Sequence, residues 1–129
     1  MSGSDHPSGR PENPRAIEVQ RLDATIALLV PSGGLDGDQL DRALRGHIET
    51  LVEDGVTGLV VDMRSFAMLD SSGLGALVAC RGDIAETSGV RLVLTGVGPA
   101  LHRTLSRAML LQVLPVYETV ERAFAALRA

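Results

Sequence analysis

Met68-Leu69-Asp70-Ser71-Ser72-Gly73-Leu74-Gly75 is the stretch on which the reading of this chain turns. The apolar run Gly58-Leu59-Val60-Val61 precedes it and has the character of a buried strand. Leu74, Leu77 and Val78 follow it at helical spacing. The acid, two hydroxyls and glycine in between mark a loop that feeds a helix. Ser71 or Ser72 is expected to cap that helix, because a hydroxyl oxygen accepts the unpaired amide hydrogens of a first turn. The same junction tolerates negative charge. A serine so placed can be a cap, a nucleophile or a phosphate acceptor.

The totals narrow these choices. With 129 residues, 45% of them hydrophobic, the chain suits one domain with a modest core. Net charge is −4, with no basic cluster, which disfavours nucleic acid as a partner because such binding rests on phosphate neutralisation. Phe66, Tyr117 and Phe124 are the only aromatic residues, too few for a base-stacking surface. The single cysteine, Cys80, excludes an intrachain disulfide framework and suits a reducing compartment. No apolar stretch approaches the roughly twenty residues of a membrane span, and no signal-peptide core is present. A cytoplasmic protein without a membrane partner is expected.

Outward from the junction, the alternation of apolar and polar residues sets the element order. Residues 1–15, rich in Ser, Gly, Pro and Arg and including His6, are expected to form a disordered tail, leaving 16–129 as the domain. Ala16-Ile17-Glu18-Val19 reads as a first strand, residues 25–30 as a more buried second, and Arg21-Leu22-Asp23-Ala24 as a hairpin between them. Pro31-Ser32-Gly33-Gly34 ends the second strand, Leu35 tucks back under the sheet, and Asp36 or Asp38 caps a helix over 38–53. Its apolar face is Leu40, Ala43, Leu44, Ile48, Leu51 and Val52, and Gly55 stops it. A third strand spans 56–62, parallel to the second. Phe66, Met68 and Leu69 of the connection are expected to pack inward. The helix after the junction runs to about Thr87, with Leu74, Leu77, Val78 and Ile84 on its core face. A fourth strand (90–95), a short helix opened by Pro99, a last strand (113–116) and a final helix from Glu118 or Thr119, with Val120, Phe124 and Leu127 inward, complete an α/β domain.

Several chemistries fail at the junction. A nucleophile elbow needs Gly-x-Ser-x-Gly, and neither Ser71 nor Ser72 has a glycine two residues before it. Gly73-Leu74-Gly75 and Gly96-Val97-Gly98 lack the third glycine of a dinucleotide fingerprint. The chain has no lysine, hence no phosphate-binding P-loop. His47 has no partner at metal-ligand spacing, and Asp36, Asp62 and Asp70 read as caps or solvated ends rather than a metal site, so no metal or cofactor is expected. A serine that is modified is left beside a serine that caps. Phosphorylation adds about −1.5 to −2 charges. A helix N-terminus offsets about 0.3–1 kcal/mol of this. A charge left unpaired in a buried interface costs about 3–5 kcal/mol. The interface term is the larger, so the fold survives while a complex would dissociate.

Phe66-Ala67-Met68-Leu69-Asp70-Ser71-Ser72-Gly73-Leu74-Gly75 resembles the Asp-Ser-Ser/Thr-Gly-Leu-Gly signature of the STAS domain of bacterial anti-anti-sigma factors, or anti-sigma factor antagonists. Gly33-Gly34-Leu35-Asp36 is similar to that family's Gly-Glu-Leu/Ile-Asp turn, with Gly34 in place of the usual acid. The resemblance covers residue 16 to the C-terminus. It implies a single STAS domain, a mixed, mostly parallel sheet of four to five strands with helices packed mainly on one side. It further implies that Ser71 is phosphorylated by an anti-sigma factor that is a serine kinase using ATP, and that a serine phosphatase resets it. The unphosphorylated form would bind that kinase and release the sigma factor, through a surface including Asp36, Asp70, Ser71, Ser72 and Gly73. No enzymatic activity is implied. The family also contains members of signalling and transport assemblies, so a non-phosphorylated interaction subunit is the alternative. Monomer and homodimer are both compatible with the sequence.

Overall fold

The computed structural model describes the backbone of residues 16–129 and the side chains of all of these but 84–87. The expected tail, with His6, lies outside the described residues. Five strands and four helices alternate: β1 (Ile17–Arg21), β2 (Ile26–Pro31), α1 (Gly37–Glu53), β3 (Gly58–Asp62), α2 (Ser71–Ser88), β4 (Arg91–Thr95), α3 (Pro99–Arg107), β5 (Val116–Tyr117) and α4 (Val120–Arg128). Among the described residues the sheet order is β1-β2-β3-β4-β5. Only β1 runs against its neighbour, pairing Val19 with Leu29; the other three ladders are parallel.

The β1–β2 hairpin closes on Asp23. Its carboxylate accepts from the amides of Thr25 (2.8 Å) and Ile26 (2.9 Å), so Thr25 belongs to the turn and β2 begins one residue later than its apolar run suggests. The Thr25 amide bond, foremost, holds the Asp23 carboxyl below its ordinary pKa.

Both faces of the central strands are covered, which is why they read as continuous apolar runs rather than alternations. Leu29, Leu59, Val61, Leu92 and Leu94 face α1, α2 and α3, meeting Leu40, Leu44, Leu77, Leu101 and Leu105. Ile26, Leu28, Val60 and Val93 face α4, which covers them with Ala123 and the half-buried Val120, Phe124 and Leu127. Three helices thus share one side and one takes the other.

α1 and α2 lie against each other closely enough that a methyl on Gly37 would overlap Ser72, with its carbon 2.8 Å from the Ser72 carbonyl carbon. Arg45 of α1 bridges the pair, reaching Asp41 at 2.9 Å and Asp83 of α2 at 2.6 Å. The Asp83 hydrogen bond, then the Asp41 one, raises the Arg45 pKa. This close approach explains a departure from the expected face of α2. Gly73, Ala76, Leu77 and Cys80 are buried, whereas Leu74 and Val78 are half-buried, because small residues let the helices touch. Burial pushes the Cys80 thiol up to about 12. The side chain of Ile84 lies outside the described residues.

Two helix ends fall as the glycines indicate: Gly55 follows α1 with φ +94°, and Gly89 closes α2 in the left-handed region at φ +69°. The last strand is Val116–Tyr117 rather than 113–116. Pro115 precedes it, and residues 111–113 turn before it, with Leu114 buried beneath the sheet. α4 starts after Thr119, whose hydroxyl accepts from the Arg122 amide at 3.1 Å.

Candidate docking and modification site

The turn after β2 and the loop after β3 end side by side, because β2 and β3 are adjacent and parallel. Each feeds a helix, and each helix is capped by an aspartate. At α1, Asp36 Oδ1 accepts from the Gln39 amide (2.8 Å) while Gln39 Oε1 accepts from the Asp36 amide (2.9 Å). This reciprocal pair is a capping box, visible in the sequence as Asp-x-x-Gln. At α2 the cap is Asp70, whose Oδ1 accepts from the Gly73 amide at 2.8 Å.

The expectation that a serine caps α2 is therefore corrected. Asp70 has the extended backbone of a cap (φ −78°, ψ 179°), and Ser71 and Ser72 are the first two helical residues. Once Asp70 takes the extended position, its carboxylate holds the amide a serine cap would have held. Both serines are exposed. Among the described residues the Ser71 hydroxyl makes no hydrogen bond, and no histidine is bonded to it, so nothing there activates it as a nucleophile.

The five residues singled out from the sequence come together around these two helix starts. Asp36, Asp70 and Gly73 line one recess of about 160 Å³, floored by Leu40, Phe66 and Leu69. Ser72 lines an adjoining open groove of about 240 Å³ with Asp38, Asp41 and Arg45. Ser71 stands exposed between Asp70 and Ser72 in the chain. Gly73 is buried, and a methyl there would come within 3.0 Å of Leu69 Cδ2. Asp62 does not join the other aspartates. It is 4% exposed at the end of β3, where it accepts from the Arg64 amide (3.0 Å) and pairs with the Arg64 guanidinium (3.2 Å).

Met68 was expected inside and is 52% exposed beside the recess. The Thr104 hydroxyl of α3 donates weakly to its sulfur at 3.7 Å. Phe66 is buried and Leu69 half-buried, so only Met68 of that trio turns outward. No pattern in residues 66–69 marks which of the apolar side chains would face water. Gly34 stands in the turn with open space around the position of a side chain. His47 is half-buried on α1. Among the described residues no group of three or more His, Cys, Asp or Glu is arranged to hold a metal ion, and no helix is long and apolar enough to cross a membrane.

Comparison with known proteins bears on this arrangement. The model of the STAS domain family matches residues 16–123. An anti-sigma F factor antagonist of Paenibacillus polymyxa is 26% identical over 107 residues, covering 83% of each chain. Among solved structures, an anti-sigma factor antagonist from Mycobacterium paratuberculosis superposes with a TM-score of 0.68 at 28% identity, over 88% of this chain and 93% of that one. The antagonist SpoIIAA in its unphosphorylated form superposes with a TM-score of 0.69 at 22% identity, over 88% and 96%. SpoIIAA of Bacillus in its phosphorylated form gives 0.63 at 19%, over 86% and 98%. With the family model spanning all but the first residues and the last few, this chain belongs to the STAS domain family.

Proposed function

We propose that this chain is a phosphorylation-switched antagonist that binds an anti-sigma factor serine kinase when Ser71 is free and lets it go when Ser71 is phosphorylated. The observation that carries the reading is the division of labour at the start of α2. Asp70 holds the helix cap, and the Ser71 hydroxyl beside it is exposed and without a partner. A phosphate can therefore be added without removing a capping hydrogen bond. SpoIIAA, which shares the fold, is known in both an unphosphorylated and a phosphorylated form. STAS antagonists act as regulators and not as enzymes.

The energetics favour a switch of docking over a switch of folding. At the N-terminus of α2 the added charge is offset by about 0.3–1 kcal/mol. Beneath a docked partner it would be a desolvated charge next to Asp70, costing about 3–5 kcal/mol. That is a loss of about a hundredfold to a few thousandfold in affinity. Asp36 and Asp70 on the rim of the recess, with Met68 beside it, would give the partner a mixed acidic and apolar seat.

Pull-down with the anti-sigma serine kinases of the source cell tests this. Ser71→Ala should retain binding and Ser71→Asp should lose it. Equal binding by the two variants would reject the switch and leave a constitutive interaction subunit.

A further inference from the structure

Three methionines fall within the described residues, and their surroundings differ. Met63 is fully buried, and Met109 is 81% exposed just past the end of α3. Met68 is exposed as well, but it lines the recess at the start of α2, and its sulfur has a neighbour. The Thr104 hydroxyl of α3 lies 3.7 Å from that sulfur and 3.2 Å from the Ala100 carbonyl oxygen. A hydroxyl carries one proton, so it serves one of the two acceptors at a time. A thioether is a weak acceptor, so in the protein as it stands the proton rests mainly with Ala100.

A thioether open to water is a target for peroxide, and its product is polar where the thioether was not. The chain's single thiol does not compete for the oxidant. Cys80 is buried, and burial keeps it protonated, whereas the thiolate is the reactive form. Met63 is sealed in the core. Of the two exposed sulfurs, Met109 does not line the recess, so it serves as the matched control.

We propose that Met68 is an oxidation site, converted by a peroxide to a sulfoxide whose oxygen then accepts the Thr104 hydroxyl proton. A sulfur lone pair attacks one oxygen of hydrogen peroxide and the O–O bond breaks. The other oxygen leaves, takes the proton from the transferred one and departs as water. Sulfur gives up two electrons and the peroxide gains them. With the sulfur 3.7 Å from the Thr104 hydroxyl, an oxygen on it falls within hydrogen-bond reach in one of the two sulfoxide epimers. The hydroxyl then turns from Ala100 to Met68 and ties the loop after β3 to α3. The consequence for docking rests on the function proposed above. A polar oxygen on the apolar part of the seat weakens the partner's hold by about tenfold, with Ser71 untouched. A methionine sulfoxide reductase reverses the step.

The test treats the full chain, carrying Met109→Leu, with hydrogen peroxide and follows it by peptide mapping and NMR. Met68 should become the sulfoxide while Met63 stays reduced. The Thr104 methyl and Ala100 carbonyl signals should move as Met68 oxidises and return on treatment with methionine sulfoxide reductases. They should stay still when Met68→Leu is added and the same peroxide is used. With Thr104→Val, Met68 should still oxidise and the Ala100 carbonyl should no longer respond. Met68 as slow to oxidise as Met63 would overturn the proposal. So would a Met68 sulfoxide that leaves Thr104 and Ala100 unmoved, or loss of the folded spectrum on oxidation. Affinity for the kinase retained in the Ser71→Ala pull-down is read on the same samples. About tenfold weaker binding after oxidation is expected, and unchanged binding would overturn the consequence for docking. A chain that oxidises as described but retains no kinase counts against the proposed function alone.

Discussion

At the scale of single residues, the site depends on which side chain takes the cap. Asp70→Ala removes the bond to the Gly73 amide and should lower stability by about 0.5–2 kcal/mol, read from the urea midpoint. Asp70→Asn should recover most of it. Ser71→Ala, by contrast, breaks no hydrogen bond and should leave the midpoint within about 0.5 kcal/mol of the parent. Gly34→Glu meets no atom within 4 Å of the new Cβ, so unfolding should be unchanged while affinity for the proposed kinase partner shifts. The cap of α1 was legible only as Asp36 or Asp38; the reciprocal bonds between Asp36 and Gln39 decide for Asp36. The Asp70 cap was not, because Asp, Ser and Ser in a row are all good caps by type. Only the backbone angles decide among them. Met68 escaped for a similar reason: composition says that residues 66–69 are apolar, not which one turns outward.

At the scale of elements, the contact between α1 and α2 fixes the spacing of the two helix starts. Gly37→Ala drives a methyl into Ser72 and should cost about 1–3 kcal/mol, with shifted resonances at Ser72. Gly75→Ala is the matched control. Its methyl meets nothing within 4 Å, so it should stabilise by roughly 0.5–1 kcal/mol through helix propensity. A larger loss at Gly75 than at Gly37 would contradict the packing described. The first four strands and α1 were legible in the sequence, since long apolar runs and a wide helical stripe leave few alternatives. The buried face of α2 was not. It is made of Gly73, Ala76, Leu77 and Cys80, and small residues carry little hydrophobic signal even where they permit the tightest contact. The last strand shifted because Leu114 is apolar for reasons of burial under the sheet, whereas pairing starts only after Pro115.

At the scale of the whole molecule, one sheet with both faces covered holds two helix starts in register, and the proposed switch asks only that this frame stay rigid. Its pH response gives a check on that frame. Burial lowers the His47 pKa below its ordinary 6.5. The unfolded chain then takes up the proton first as pH falls, so stability is full above about pH 6.5 and declines below it, levelling off under the folded-state value. His47→Gln should flatten that part of the curve, measured as the urea midpoint between pH 7.5 and 5. The order of elements was legible from alternating strands and helices, and the Asp70-Ser71-Ser72-Gly73 signature marked the candidate site at the start of α2. The two-residue length of β5 was not, because it is a property of the assembled sheet. The central claim concerns Ser71, and phosphosite mapping tests it most directly. After incubation of the chain with ATP and the proposed anti-sigma serine kinase, mass spectrometry should find one phosphate, on Ser71, and none on the Ser71→Ala variant. Phosphate on Ser72 instead, or equal labelling of the variant, would contradict the account.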